Sequence, residues 1–218
     1  MICTSIKKLD HFLNGGIKEG TILDIFGASA TGKTQLAMQI CVNALQDGGK
    51  ILFQDTTGEF RPERMLEIMK FRDMNPNLLD KVTVGRITNT SEQIQYLSKI
   101  KKIENFSLIV VDNITDLFSF EYSSGKNFLE KNILFMNYMH ELSLTASYYK
   151  IPIVITNMIR KKDDLDVENL DKSISMFTHM KIMLRKNGNR YVGEVIPSFL
   201  QKQEFSYFIT AKGLTDAS

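Results

Sequence analysis

One stretch restricts this chain more than any other. Residues Gly27-Ala28-Ser29-Ala30-Thr31-Gly32-Lys33-Thr34 fit the pattern G-x-x-x-x-G-K-[ST]. The glycines let the backbone turn tightly and aim its N–H groups at phosphate oxygens. A helix starting there adds its positive end to the same anion. Lys33 is placed to reach the β- and γ-phosphates, and the Thr34 hydroxyl to ligate Mg²⁺. The flanks suit the mechanism. Thr21–Phe26 is an apolar run that reads as a strand. Lys33–Gln46 has helical spacing through Leu36, Ile40, Val42 and Leu45, and Gly48-Gly49 stops it. The expectation is a phosphate-binding loop that takes ATP with Mg²⁺.

Beyond the loop, short β-rich runs alternate with helical stretches. Ile51–Gln54, Val82–Gly85, Phe106–Val111 and Ile153–Thr156 read as strands. Arg61–Phe71, opened by Pro62, Ser91–Glu104 and Asn127–Tyr149 read as helices. After Lys172 the pattern turns to consecutive strands, Thr178–Arg185, Arg190–Ile196 and Phe205–Thr210. Lys186-Asn187-Gly188-Asn189 is a hairpin turn between the first two. This predicts an α/β fold: a mostly parallel central sheet flanked by helices, extended by a C-terminal antiparallel hairpin. With 218 residues and no low-complexity linker, one domain over 1–218 is expected.

Composition excludes several classes. Net charge is only +2, so any nucleic-acid binding must come from a local patch. Cys3 and Cys41 have no C-x-x-C spacing, which argues for reduced thiols rather than a metal site or disulfide framework. No apolar run approaches the roughly 18–20 residues that cross a bilayer. The N-terminus lacks the apolar core of a signal peptide, so a cytoplasmic location is expected.

A second chemical signal is Asp112, which closes the buried run Leu108-Ile109-Val110-Val111. An acid at the carboxyl end of such a strand emerges beside the phosphate loop and would hold Mg²⁺ through a water. The plainer alternative is a cap at a strand exit.

These motifs, taken together, resemble the RecA/RadA recombinase superfamily, particularly its archaeal and eukaryotic branch. The likeness begins with Leu9-Asp10-His11-Phe12-Leu13-Asn14-Gly15-Gly16-Ile17 and Gly20, and continues through Gly32-Lys33-Thr34-Gln35-Leu36. Asp55-Thr56-Thr57-Gly58-Glu59-Phe60-Arg61-Pro62-Glu63-Arg64 is similar to the D-T-E-x-x-F-R-P-E-R segment of that branch. Val110-Val111-Asp112-Asn113-Ile114-Thr115 resembles its second nucleotide motif, and Ile155-Thr156-Asn157 its sensor strand. In length the chain resembles the short archaeal RadB branch. It begins almost at the ATPase core, with no room for the N-terminal helical domain and subunit-joining linker of a full recombinase. The resemblance therefore implies a recombinase paralogue or accessory factor of DNA repair and homologous recombination. Its partners would be DNA, single-stranded above all, and another recombinase or repair protein, with no membrane involved. A KaiC-like regulatory ATPase shares the fold, but the Phe60-Arg61-Pro62-Glu63-Arg64 run ranks it lower. A nucleotide-gated protein-binding module without turnover is the other alternative.

The resemblance also implies site residues. Gln35 joins the nucleotide-binding set, and Arg64 would stack on adenine, though a plain surface arginine on a helix is the alternative. Where the family has a water-activating glutamate, this chain has Thr57, and threonine is no general base at neutral pH. Glu59 is the candidate surrogate if the chain runs extended past Thr57, against the alternative of a solvated loop carboxylate. Met158 replaces the family's glutamine after Asn157, and a thioether cannot make the amide's hydrogen bonds. Asn157 remains as a candidate contact to the phosphate region. ATP binding with weak hydrolysis is the expectation.

For DNA, the family's two loops correspond to Phe120–Lys131 and Met158–Lys172. They offer Tyr122, Lys126 and Lys131 in the first and Arg160-Lys161-Lys162 in the second. The second then turns acidic, so modest affinity is expected. Lys181, Arg185, Lys186 and Arg190 form a denser basic group on the terminal hairpin, with no acid between them. A charge-protected sheet edge is the alternative reading of that group. Tyr122 would stack on a base or simply pack against its own helix.

Overall fold

The structure is a computed structural model. It describes the chain except residues 101, 124–127, 163–164, 197–202 and 218, and the side chains of 162 and 165.

The phosphate-loop stretch is flanked as expected, by β1 (Ile22–Gly27) and α2 (Lys33–Gln46). Before them runs a helix that the sequence reading missed, α1 (Lys7–Phe12). The Asp216 carboxylate accepts the helix's first N–H groups, Lys7 at 3.0 Å and Lys8 at 3.4 Å. Asp10 fixes the preceding turn by accepting the N–H groups of Thr4 at 2.6 Å and Ser5 at 3.1 Å. There follow β2 (Ile51–Asp55), α3 (Pro62–Lys70), β3 (Val82–Arg86) and α4 (Thr90–Lys99). Next come β4 (Leu108–Asp112), α5 (Asp116–Glu121) and α6 (Phe128–Tyr149). The chain then gives β5 (Ile153–Lys162), β6 (Leu165–Glu168) and α7 (Asp171–Ser175). It closes with β7 (Met180–Asn187), β8 (Arg190–Ile196), β9 (Gln203–Thr210) and β10 (Gly213–Asp216).

The strands form one sheet in the order β10-β9-β8-β7-β1-β5-β4-β2-β3, with β6 added to β5. From β7 through β3 the neighbours are parallel, and from β7 to β10 they are antiparallel. The α/β class, the parallel centre and the terminal antiparallel extension are as the sequence predicts. The phosphate loop leaves the carboxyl end of β1, and Asp112 ends β4. Only β5 separates these two strands, so loop and acid open on the same rim.

Both faces of the sheet are covered. Leu23, Ile25, Phe53 and Val110 pack on one side with α2, α3 and the lead-in segment. Ile22, Leu52, Ile109 and Val111 pack on the other with Phe118, Phe135 and Tyr138 from α5 and α6. A period of two with both faces buried explains why these strands read as continuous apolar runs. Each such buried side chain contributes about 1.5–3 kcal/mol of hydrophobic stabilisation.

Three expectations change. The helix expected over Ser91–Glu104 ends at Lys99. Ile100 is extended and Lys102 left-handed, so that Ile103 drops into the core. The expected loop at Met158–Lys172 is instead an extension of β5 that pairs antiparallel with β6, Ile159 opposite Glu168. Beyond the expected terminal strands lies a further one, β10.

Candidate functional site

The phosphate loop is a rigid turn held from behind. Gly27 has φ 154° and a Cβ there would overlap the Leu184 carbonyl of β7, so no larger residue fits. Gly32, at φ 95°, is the N-cap of α2 and offers no capping side chain to the helix's first N–H groups. Inside the loop, the Thr31 hydroxyl donates to the Ala28 carbonyl at 2.9 Å, and the Lys33 Nζ to the same oxygen at 2.8 Å. Burial lowers the Lys33 pKa, while Asp112, Asp116 and Glu59 push it back up. The loop opens on a cleft of 790 Å³ lined by Ser29, Lys33, Thr34, Thr57, Asp112 and Asp116 among others.

Asp112 is nearly fully buried. Burial raises its pKa, the Thr156 hydroxyl and the nearby Thr34 hydroxyl lower it, and Asp55 and Glu59 raise it further. The Thr156 hydroxyl holds its Oδ1. Its Oδ2 is buried with no hydrogen-bond partner among the described residues. A hydroxyl beside an unsatisfied buried carboxylate oxygen is a donor set that fits Mg²⁺, which takes few protein ligands and keeps water and phosphate oxygens. Among the described residues no cluster of three or more His, Cys, Asp or Glu competes for a metal.

On the opposite wall, β2 ends at Asp55, whose Oδ1 accepts the Thr57 hydroxyl at 3.2 Å and the Gly58 N–H at 2.7 Å. The chain therefore turns instead of running extended, which removes the geometric argument for pairing Glu59 with Thr57. Glu59 is exposed on that turn but still lines the cleft. Asn157 corrects a second expectation. Its amide is fully buried and already used. It donates to Glu168 and to the Asn169 carbonyl, both at 2.8 Å, and accepts from the Thr115 hydroxyl at 2.7 Å and the Met158 N–H at 2.8 Å. Asn157 is thus a positioning residue that ties β5 to β6 and α5, and Met158 is the group that faces the cleft.

Arg64 lines the cleft, yet its guanidinium is engaged. Nε donates to Gln35 at 2.6 Å, and the terminal nitrogens reach Glu67 and the Thr210 and Ala211 carbonyls of the β9–β10 turn. Gln35 likewise lines the cleft.

Of the DNA candidates, Tyr122, Arg160 and Lys131 line a neighbouring hollow with Asp116, Phe128 and Met158. Lys161 is exposed on β5. Lys126 lies outside the described residues, as does the side chain of Lys162. Lys181 is a correction. Its ammonium is buried in an ion pair with Glu168 and bonded to Asp171 at 2.7 Å, with Asp24 3.8 Å away. It is committed to interior carboxylates and is not free for a phosphate backbone. Arg185 pairs with Glu204 on β9, and Lys186 lies over the Tyr191 ring.

The sequence reading missed Asp116, Asn113 and Thr56 in the cleft and Thr156 behind Asp112. Asn113 and Thr56 exchange hydrogen bonds at 2.7 Å. The signal was available: Thr56 directly follows the buried strand Ile51–Asp55, and Thr156 closes the buried apolar run at the start of β5.

Comparison with known proteins agrees with this geometry. The family described as Rad51 matches residues 1–217. The DNA repair and recombination protein RadA of Metallosphaera sedula is 28% identical over 99% of this chain and 72% of its own length. RadA of Ignicoccus hospitalis is 29% identical over 99% of this chain and 72% of its own. RadA of Cenarchaeum symbiosum is 32% identical over 91% of this chain and 54% of its own. With a phosphate loop, a buried strand-end acid and a family match spanning the whole sheet, the chain belongs to the Rad51 family of the RecA/RadA recombinase superfamily.

Proposed function

We propose that this chain binds ATP with Mg²⁺ and serves DNA repair and recombination as a RadB-like recombinase paralogue or accessory factor. Its ATPase activity is weak and its affinity for single-stranded DNA modest. One observation carries the reading. The cleft joins Lys33, Thr34 and the unsatisfied oxygen of Asp112, while Thr57 and Met158 stand where the family resemblance implies a glutamate and a glutamine.

In this reading the loop N–H groups and Lys33 hold the β- and γ-phosphates, and Thr34 and Asp112 hold Mg²⁺, the latter through water. The metal's contribution is to neutralise charge on the phosphates. Arg64 borders the base end of the cleft. Exposed Arg160 and Lys161 on the β5–β6 hairpin supply cations for a nucleic-acid backbone. A nucleotide-gated binding module without turnover is favoured only if hydrolysis is absent.

Lys33→Ala tests the proposal. Losing a charge-assisted contact to phosphate should weaken ATP-Mg²⁺ binding by roughly 10- to 100-fold in calorimetry. Equal affinity in variant and parent would sink it.

A further inference from the structure

A bound nucleotide at this site would meet a water-activation problem. Thr57 has no basic group at neutral pH, Met158 offers only a thioether, and Glu59 sits exposed on the turn that Asp55 holds. Another acid lines the same cleft. Asp116 is the first residue of α5, immediately after the Asp112–Thr115 segment that leads out of β4.

Its placement is specific. Asp116 shares the nucleotide cleft with Lys33, Thr34 and Asp112, and it also lines the neighbouring hollow with Tyr122, Lys131 and Arg160. Together with Met158 it forms the boundary between the two cavities. Its carboxylate and the Lys33 ammonium interact electrostatically. Among the described residues no hydrogen bond engages that carboxylate, so it is free to accept one. Burial pushes its pKa above the ordinary 3.8, Lys33 pulls it down and Glu59 pushes it up. An acid within electrostatic reach of the lysine that grips the terminal phosphate is placed for the water that attacks that phosphate.

We propose that Asp116 is the general base for ATP hydrolysis in this cleft, doing what Thr57 cannot. The inference rests on the ATP-binding reading above. In the step, the water oxygen bonds to the γ-phosphorus and the bond from that phosphorus to the β–γ bridging oxygen breaks. The electron pair leaves with ADP, the water's proton passes to an Asp116 carboxylate oxygen, and Asp116 returns it to solvent. The competing view is an acid that merely favours the start of a short helix. That view predicts an effect on stability and none on turnover.

The experiment measures ATP affinity by calorimetry and single-turnover hydrolysis on the full chain. Asp116→Asn should retain ATP binding within about threefold and lose roughly 10²-fold or more in rate. Adding Thr57→Glu to Asp116→Asn should restore turnover, because it supplies an acid at the position of the family's own base. Asp116→Ser runs alongside as a second variant should Asp116→Asn fold poorly. The assignment is overturned by an unchanged rate in Asp116→Asn, or by a loss that appears in Glu59→Gln instead. It is equally overturned if the fall in rate merely follows a fall in ATP affinity. A parent that binds ATP without any turnover overturns the base and leaves the nucleotide reading standing. A parent that binds no ATP overturns both.

Discussion

Two side chains on the strand before the phosphate loop and the strand beside it show how a buried charge is managed. Asp24 of β1 is fully buried, neither of its oxygens has a hydrogen-bond partner among the described residues, and its cation Lys181 is 3.8 Å away. Burial first, then the nearby Glu168 charge, holds its carboxyl well above the ordinary 3.8. The stability that goes with a raised carboxyl pKa is fully present below 3.8 and is lost as pH rises through the elevated value. Asp24→Asn should therefore be more stable than the parent near neutral pH, by about 1–3 kcal/mol, and should lose the parent's downward slope toward high pH. Urea unfolding at pH 5 and pH 8 checks this, and a variant less stable than the parent at pH 8 contradicts it. Lys181→Ala should do the opposite. It strands Glu168 in the interior and should cost about 3–5 kcal/mol.

The terminal strands do more than extend the sheet. The Tyr207 hydroxyl on β9 donates to the Thr31 carbonyl inside the phosphate loop at 2.6 Å, and Ile209 covers the face of Gly32. Tyr207→Phe keeps the ring and removes one buried donor. It should weaken ATP binding roughly three- to tenfold and speed amide exchange across residues 27–34; unchanged exchange there would show the hydroxyl to be mere filler. None of this support was legible in the sequence, because it joins residues far apart in the chain through backbone atoms that no motif encodes. What was legible came from local rules. Runs such as Leu108–Val111 announce a strand buried on both faces, and Gly27 to Thr34 announce a loop. The β5–β6 hairpin was hidden because Arg160-Lys161-Lys162 and the acids after them read as a solvated loop. Lys181 read as a surface cation because its carboxylates come from β1, β6 and α7, none of them adjacent in sequence.

Taken as a whole, the chain is nearly balanced in charge, with 27 Lys and Arg against 25 Asp and Glu. Of the basic residues considered for nucleic acid, Lys181 and Arg185 are paired to carboxylates, which leaves a small local group led by the exposed Arg160 and Lys161. Single-stranded DNA binding should therefore fall only shallowly with salt, with a log–log slope of about −2 for some three phosphates neutralised. Arg160→Ala should make that slope shallower by about 0.7, and a parent slope steeper than about −5 would point to a larger basic surface. The terminal strands have one more consequence, which concerns time. Gln39 of α2 hydrogen-bonds the backbone of Leu214 from both ends of its amide, 175 residues away, and Thr31 waits for Tyr207. During synthesis the phosphate loop leaves the ribosome roughly 175 residues ahead of the strands that support it. Nucleotide therefore cannot act as an early template for folding. A nascent chain released before residue 205 should carry the whole loop sequence and still fail to retain ATP, so competence arrives only once β9 and β10 have been made.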